Sequence, residues 1–332
     1  MRTPNVFSVE MWLFSAFVIA TAPGKLILTG EYAVLNGAPA LVIAVDRRAV
    51  ARRDAVRGSS PFLLAVAQEI AKQRGETSVA ARAALELAVD STAFYDSHGT
   101  KLGLGSSAAV TVAATACALA EAGTIDRDEV LAIALAAHAT AQGQRGARGS
   151  GADVAASVHG GTIAFTRHAP AERLAWPKSV TIVPFFTGAA ADTVSLVAQV
   201  LAAREARAEV EAALVAIGDA SRAACSAITA PAELAPTAVV AAFALAAVGI
   251  DRLAMATGLD LVPTCVSTAR AALAKLGGTA KTTGAGGGDV AVAVIPATAD
   301  VSEVGRILIE SGCRPLRLSV DETGVDTRPD AQ

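Results

Sequence analysis

The chain has 332 residues, of which 53% are hydrophobic and 18% charged, a balance that excludes extensive disorder and leaves material for about two domains. Aromatic residues make up only 4%, so the cores are expected to be built from Ala, Val, Leu and Ile. A formal net charge of -3 without a dense Lys/Arg block argues against nucleic acid or an anionic membrane as a partner, so any anion must be bound locally.

Residues 1–17 read as an N-terminal extension. Met11 to Ala20 is apolar and Ala20-Thr-Ala22 has the look of a leader-cleavage site. Glu10 interrupts the apolar run, however, only Arg2 is basic ahead of it, and cleavage after Ala22 cuts the next strand; a cytoplasmic location is expected. Strand-like segments over 17–21 and 26–29 flank a turn at Pro23-Gly24 that presents Lys25. Gly30-Glu31-Tyr32-Ala33-Val34-Leu35 follows, then a turn over 36–39 and an apolar strand over 40–45 ending at Asp46-Arg47-Arg48. The patterning predicts a helix over 61–73 and a strand over 84–95, after which 96–100 turns the chain into Lys101-Leu-Gly-Leu-Gly-Ser-Ser-Ala-Ala109.

That loop runs straight into an apolar helix over 110–122. Gly103 and Gly105 permit close backbone approach to an anion, Ser106 and Ser107 supply hydroxyls and a helix N-cap, and the helix start offers free N–H groups and its positive dipole end. The same letters also satisfy a G-x-G-x-x-A dinucleotide fingerprint or plain helix capping, and on the loop alone these alternatives stay open. Asp126, with Glu129 three residues on, opens a helix over 130–141 in the manner of a capping box. The Gly/Arg-rich stretch 143–151 leads into a short helix from Ala152 that carries Asp153, and Gly160-Gly161 turns into a strand over 162–166.

The mixed stretch 167–178 marks the boundary between a domain over 18–175 and one over 176–332. The second half reads as a strand over 180–186, Ala-rich helices within 192–228 and over 234–257, a helix over 264–276 and a strand over 279–282. The glycine run 284–288, a strand over 289–295, a helix over 301–312 and a strand over 314–320 complete it. A strand after Gly288 disfavours the dinucleotide reading, which needs a helix there. No stretch approaches the ~20 uninterrupted apolar residues of a membrane span. Cys117, Cys225, Cys265 and Cys313 stand far apart, without C-x-x-C or zinc-ligand spacing, and are expected to be reduced thiols.

Taken singly, Lys25 is an ordinary surface lysine and Asp153 an ordinary first-turn acid. Their order along the chain changes that reading. The segments Ala22-Pro-Gly-Lys-Leu-Ile-Leu-Thr-Gly-Glu-Tyr-Ala-Val-Leu35, Gly103-Leu-Gly-Ser-Ser-Ala-Ala109 and Lys281-Thr-Thr-Gly-Ala-Gly-Gly-Gly288 together resemble the three motifs of the GHMP small-molecule kinases, and the resemblance covers residues 18–325. Four details are similar to the phosphomevalonate-kinase branch: Tyr32 after Gly30-Glu31 where mevalonate kinases have His, Phe94-Tyr95 ahead of 101–111, Gly149-Ser-Gly-Ala-Asp-Val-Ala-Ala-Ser157 with Gly160-Gly161, and Asp289 behind the triple glycine. The 143–149 loop, longer and carrying Arg145 and Arg148, departs from that branch.

The resemblance implies an α+β fold of two lobes, an N-terminal α/β lobe and a C-terminal ferredoxin-like lobe with a four-stranded antiparallel sheet, with the active site between them. It implies ATP-dependent phosphorylation of 5-phosphomevalonate to 5-diphosphomevalonate; the alternatives are a kinase acting on mevalonate or another small alcohol, and a catalytically inactive ligand sensor. Lys101, Gly103, Leu104, Gly105, Ser106, Ser107 and Ala108 are implied to hold ATP, with Ser107 reaching Mg²⁺. Asp153 and Lys25 are implied to be catalytic, at the acceptor oxygen and at the transferred group. The implied acceptor site is Lys25, Glu31, Tyr32, Arg148, Ser150, Gly151, Asp153, Gly284, Ala285, Gly286 and Gly287. A phosphorylated small molecule needs further positive charge, for which Arg148 leads Arg145, Lys101, Arg47 and Arg48. Related kinases place a glutamate metal ligand where this chain has Gln142, so Mg²⁺ is expected to lean on ATP and serine. His98, His138, His159 and His168 are assigned no chemistry, and the oligomeric state, monomer or homodimer, is left open.

Overall fold

The computed structural model describes residues 18–53, 60–120, 123–146 and 149–329; the expected extension 1–17 and Arg148 lie outside them. Strand β1 (Val18–Thr29) pairs antiparallel with β2 (Ala40–Arg53), and the two form the middle of a six-stranded sheet. The expected Pro-Gly turn is absent. Instead β1 runs through Pro23-Gly24 with a register shift, because Gly24 has no side chain to meet the Leu104 carbonyl, 2.5 Å from where its Cβ would stand. Beyond that bulge, alternation turns Leu26 and Leu28 into the core and leaves Lys25 and Ile27 on the other face.

Helix α1 (Pro61–Arg74) starts at Ser60, whose hydroxyl accepts the Phe62 N–H. The strand expected over 84–95 resolves into a short helix α2 (Val79–Ala84), a strand β3 (Leu87–Asp90) on β2 and a 3-10 turn over 92–94. Ser78 decides this by capping α2, accepting the Ala81 N–H at 3.1 Å. Helix α3 (Ser106–Leu119) is followed by α4 (Arg127–Gly143). The Asp126 carboxylate accepts the Asp128 and Glu129 N–H groups, but Glu129 does not complete a capping box; its carboxylate takes Arg74 of α1. Helix α5 (Ala152–His159) and strands β4 (Thr162–Phe165) and β5 (Glu172–Leu174) complete this part.

The second sheet is four-stranded and antiparallel, as expected: β6 (Val180–Phe186), β7 (Thr279–Thr282), β8 (Val290–Pro296) and β9 (Arg314–Pro315), in the order β7-β8-β6-β9. In β8 alternation sends Val290, Val292 and Val294 into one core and Ala291, Ala293 and Ile295 into another. The second of these lies beneath α9 (Thr264–Leu273) and α10 (Val301–Glu310). The first is continuous with the core under α3 and α4, so apolar packing joins the lobes. Helices α6 (Thr193–Ala206), α7 (Ala208–Ile228) and α8 (Ala235–Thr257) complete the layer.

Two features of the C-terminal segment differ from expectation. Of the strand expected over 314–320 only Arg314–Pro315 pairs with β6, and Val320 makes a single bridge to Val45. The chain then returns to the first sheet as β10 (Asp326–Pro329), beside β1, so residues 326–329 sit with the N-terminal lobe. Arg48 anchors this return: its guanidinium pairs with Asp321 and donates to the Gly324 carbonyl at 2.6 Å.

Helix α8 is long and apolar enough, at mean hydropathy 1.9, to cross a membrane by length and composition, although Asp251 and Arg252 interrupt its apolar run as the sequence expectation has it. Val239, Ala242, Phe243, Ala246 and Ile250 of that helix are buried in the protein core. The four cysteines are free; Cys117 and Cys313 are buried, and Cys225 and Cys265 half-buried. Burial pushes the Cys117 thiol up to about 11.

Candidate active site

The junction of the lobes holds two neighbouring cavities. The larger, about 450 Å³, is lined by Lys25 of β1, Lys101, Gly103 and Gly105 of the loop before α3, Ser106 and Ser107 of α3, Gln142 and Arg145, Asp153 of α5, residues 190–194 and Asp289. The smaller, about 120 Å³, is lined by Ile27, Glu31, Tyr32, Val34, Leu35, Gly149, Ser150, Asp153, Val197, Gly284 and Ala285. Asp153 borders both.

The first turn of α3 is built to leave donors unused. Its N-cap is Gly105, in the left-handed region (φ 76°), and no side chain caps it; the expected serine cap is replaced by serines inside the helix at its first two positions. Their hydroxyls and backbone N–H groups therefore stand at the positive end of α3. Gly103 also needs its missing side chain: φ is 71°, and a Cβ would lie 2.5 Å from the Asp289 carboxyl. Leu104 and Ala108, expected at the nucleotide, turn their side chains into the core instead; Leu104 serves through its carbonyl, which accepts the Lys25 N–H at 2.9 Å.

Lys25 stands on the cavity wall with its stem against Gly105. Burial lowers its pKa from the ordinary 10.5, and the carboxylates of Asp153 and Asp289 act in the opposite sense. Asp289 faces it from the C-terminal lobe. Burial raises the Asp289 pKa, against the Ala191 N–H that it accepts at 3.3 Å and the charges of Lys25 and Lys101. Asp153 sits in the first turn of α5, whose N-cap is left-handed Gly151, and its Oδ1 accepts the Val154 N–H at 3.0 Å. Ser150 accepts the Ala152 N–H at 3.2 Å, fixing the loop that lies over the smaller cavity.

The residues expected at the acceptor divide. Tyr32, strained at φ 57°, donates its hydroxyl to the Ala285 carbonyl at 2.5 Å and so clamps the first motif to the third. Glu31 is taken by Lys281: the ammonium pairs with the carboxylate and also donates to the Leu28 (2.7 Å) and Thr282 (2.6 Å) carbonyls, which satisfies all three of its N–H bonds. Both side chains are only 1% exposed, and Glu31 Oε2 is buried without a partner. Gly284 and Ala285 border the smaller cavity, whereas Gly286 and Gly287 pack against Leu261 and Leu196, away from it. Of the cationic candidates, Lys101 and Arg145 line the larger cavity. Arg48 is committed to Asp321, and Arg47 donates to the Arg317 carbonyl; neither lines the larger or the smaller cavity.

Asp289, His138, Arg167 and Arg204 are passed over by sequence reasoning as site residues. Asp289 was noted only as a neighbour of the glycines, yet it, rather than the glycine run, reaches the larger cavity. His138, assigned no chemistry from the sequence, is buried with Nε2 3.2 Å from Ser107 Oγ and 3.9 Å from Asp153 Oδ2. The available signal was its spacing, four residues before Gln142 on one face of α4. Arg167 and Arg204 were not singled out either. They line a further cavity of about 540 Å³ that shares Leu35 and Gly149 with the smaller one.

Residues 62–161 match the model of the GHMP kinases N terminal domain. A phosphomevalonate kinase from Streptomyces sp. (strain CL190) is 30% identical over 93% of this chain and 98% of its own. A mevalonate kinase from Archaeoglobus fulgidus is 33% identical over 55% of this chain and 63% of its own. Among solved structures, Streptococcus pneumoniae phosphomevalonate kinase in complex with phosphomevalonate and AMPPNP has a TM-score of 0.73 at 17% identity, over 91% of this chain and 99% of that one.

Proposed function

The chain belongs to the GHMP kinases and is an ATP-dependent phosphotransferase, and from that premise we propose that it phosphorylates 5-phosphomevalonate to the diphosphate. The observation that carries this reading is the position of Asp153 on the wall shared by the two cavities, with Lys25 lining the larger one beside it. One cavity takes the ATP phosphates against the first turn of α3; the other takes the acceptor, under Tyr32, Ser150 and Ala285. Phosphoryl transfer asks the protein for alignment and for cancellation of charge more than for covalent chemistry. Lys25 supplies the charge where the cavities meet, and the free N–H groups of Ser106 and Ser107 hold the phosphate oxygens. A phosphate-monoester acceptor is already ionised at neutral pH, so Asp153 orients its attacking oxygen more than it removes a proton.

Magnesium fits the residues present. Ser107, Asp153 and Gln142 line the larger cavity, a set of oxygen donors suited to a hard ion that keeps several waters, and Gln142 Oε1 itself is buried against Gly149. Ser107, with Asp153 beside it, would hold the ion, which would supply positive charge against the ATP phosphates.

An acceptor with a second negative group is favoured by the arginines beyond the smaller cavity. Arg204 is paired with Glu211 and Asn36, but among the described residues Arg167 donates only to the Leu35 carbonyl, at 3.3 Å. Its remaining donors suit a carboxylate or phosphate at the far end of the acceptor. The second reading, mevalonate as acceptor, is favoured by the Archaeoglobus relative. ADP release measured on 5-phosphomevalonate, mevalonate and homoserine separates them. Turnover on 5-phosphomevalonate is expected; turnover on mevalonate alone ends the proposal, and none on any acceptor revives an inactive ligand sensor.

A further inference from the structure

We propose that His138 is a positioning residue that holds the nucleotide-side hydroxyl of Ser107 in register with the acceptor-side carboxylate of Asp153. The inference rests on the phosphotransferase reading of the two cavities and goes beyond the residues that touch ATP or acceptor.

His138 lies in the middle of α4, where an apolar face is needed, and it is 2% exposed. Its ring stacks on Phe62, with centroids 5.4 Å apart and planes 25° from parallel, which fixes the direction in which its nitrogens point. Phe62 itself lines the larger cavity. Held in this way, Nε2 meets Ser107 Oγ at 3.2 Å, a hydrogen bond in which either atom can donate. Asp153 Oδ2 lies 3.9 Å from the same nitrogen, an electrostatic neighbour rather than a hydrogen-bond partner.

A single ring nitrogen thus stands between two residues that belong to different helices, α3 and α5, and to different halves of the reaction. Ser107 has one hydroxyl hydrogen and two lone pairs. Committing one of these to His138 sets where the others point, and the open direction is the cavity that Ser107 lines. A buried histidine retained only for packing needs the Phe62 stack and any one polar partner. Here the partner is the serine at the phosphate-binding helix start, and the next polar neighbour is the carboxylate shared by both cavities.

The test uses three substitutions that separate the nitrogen from the ring. His138→Phe keeps the stack and removes both nitrogens. His138→Gln places an amide nitrogen near the Nε2 position, while the shorter His138→Asn reaches only the Nδ1 position. We expect His138→Phe to lower kcat on the order of 10-fold or more, with KM for ATP and for the acceptor moved less than about threefold. Gln should restore kcat to within about threefold of wild type, and Asn should stay as low as Phe. Unchanged kcat in His138→Phe, or Asn equal to Gln, overturns the proposal. If Phe does not fold, the Gln and Asn pair decides by itself. The rates are read on whichever acceptor the unsubstituted enzyme uses, so a wrong acceptor shows as a wild-type preference for mevalonate and leaves the Gln-against-Asn comparison intact.

Discussion

Replacing Lys281 by Met removes a charge from a place where its partner cannot leave. Glu31 and Lys281 are 250 residues apart in sequence, each about 1% exposed, and the ammonium spends its other two N–H bonds on the carbonyls of Leu28 and Thr282. Burial alone drives the Glu31 pKa up and the Lys281 pKa down, and their mutual attraction opposes both shifts. In Lys281→Met the Glu31 carboxylate is left buried and uncompensated, and Leu28 and Thr282 lose a donor. The expected loss is about 3–5 kcal/mol, a fifth or more of the roughly 5–15 kcal/mol that holds a folded domain together. Glu31→Gln should cost less, about 1–3 kcal/mol, because the ammonium keeps two carbonyls and gains an amide oxygen. The double variant removes both charges and should recover roughly 2 kcal/mol relative to Lys281→Met. Urea unfolding midpoints for the four proteins, read at constant slope, complete the cycle. A loss below about 1 kcal/mol in Lys281→Met, or no recovery in the double variant, refutes the assignment of this pair as an inter-lobe anchor.

Three further outcomes follow from the site. Asp153→Asn and Lys25→Ala should each lower kcat on the order of 10² with the fold intact; near-normal turnover in either removes that residue from the mechanism. Lys25 works as a cation, and burial lowers its pKa, so the rate should fall on the alkaline side below pH 10.5; Asp289→Asn removes a carboxylate that raises that pKa and should move the fall to still lower pH, whereas a rate flat to 10.5 contradicts the burial argument. Arg167→Met should raise the acceptor KM on the order of 10-fold while kcat and the KM for ATP stay within about threefold, and an unchanged acceptor KM shows that the guanidinium does not meet the substrate.

Much of the candidate site was legible in the chain because it depends on local rules. The glycines before α3, the serines at its start and Asp153 in the first turn of α5 carry their conformations and chemistry in a few consecutive residues. Lys25 was legible by its motif, although not by its backbone, since the expected turn is a bulged strand. The residues that were not legible owe their roles to partners far away. Glu31 reads as a ligand until Lys281 is brought to it; Gly286 and Gly287 read as binding loop until Leu261 and Leu196 pack on them.

Sequence by itself determined the three glycine-bearing segments and, through their resemblance to the GHMP kinases, the α+β fold of two lobes, because tight turns and helix starts are demands that each residue meets with its own neighbours. Tertiary structure alone decided that the C-terminal strand closes the first sheet, that Asp289 rather than the glycines reaches Lys25, and that His138 stands between Ser107 and Asp153. Those contacts join residues from separate elements, and only the burial of a common core between the lobes brings them within reach.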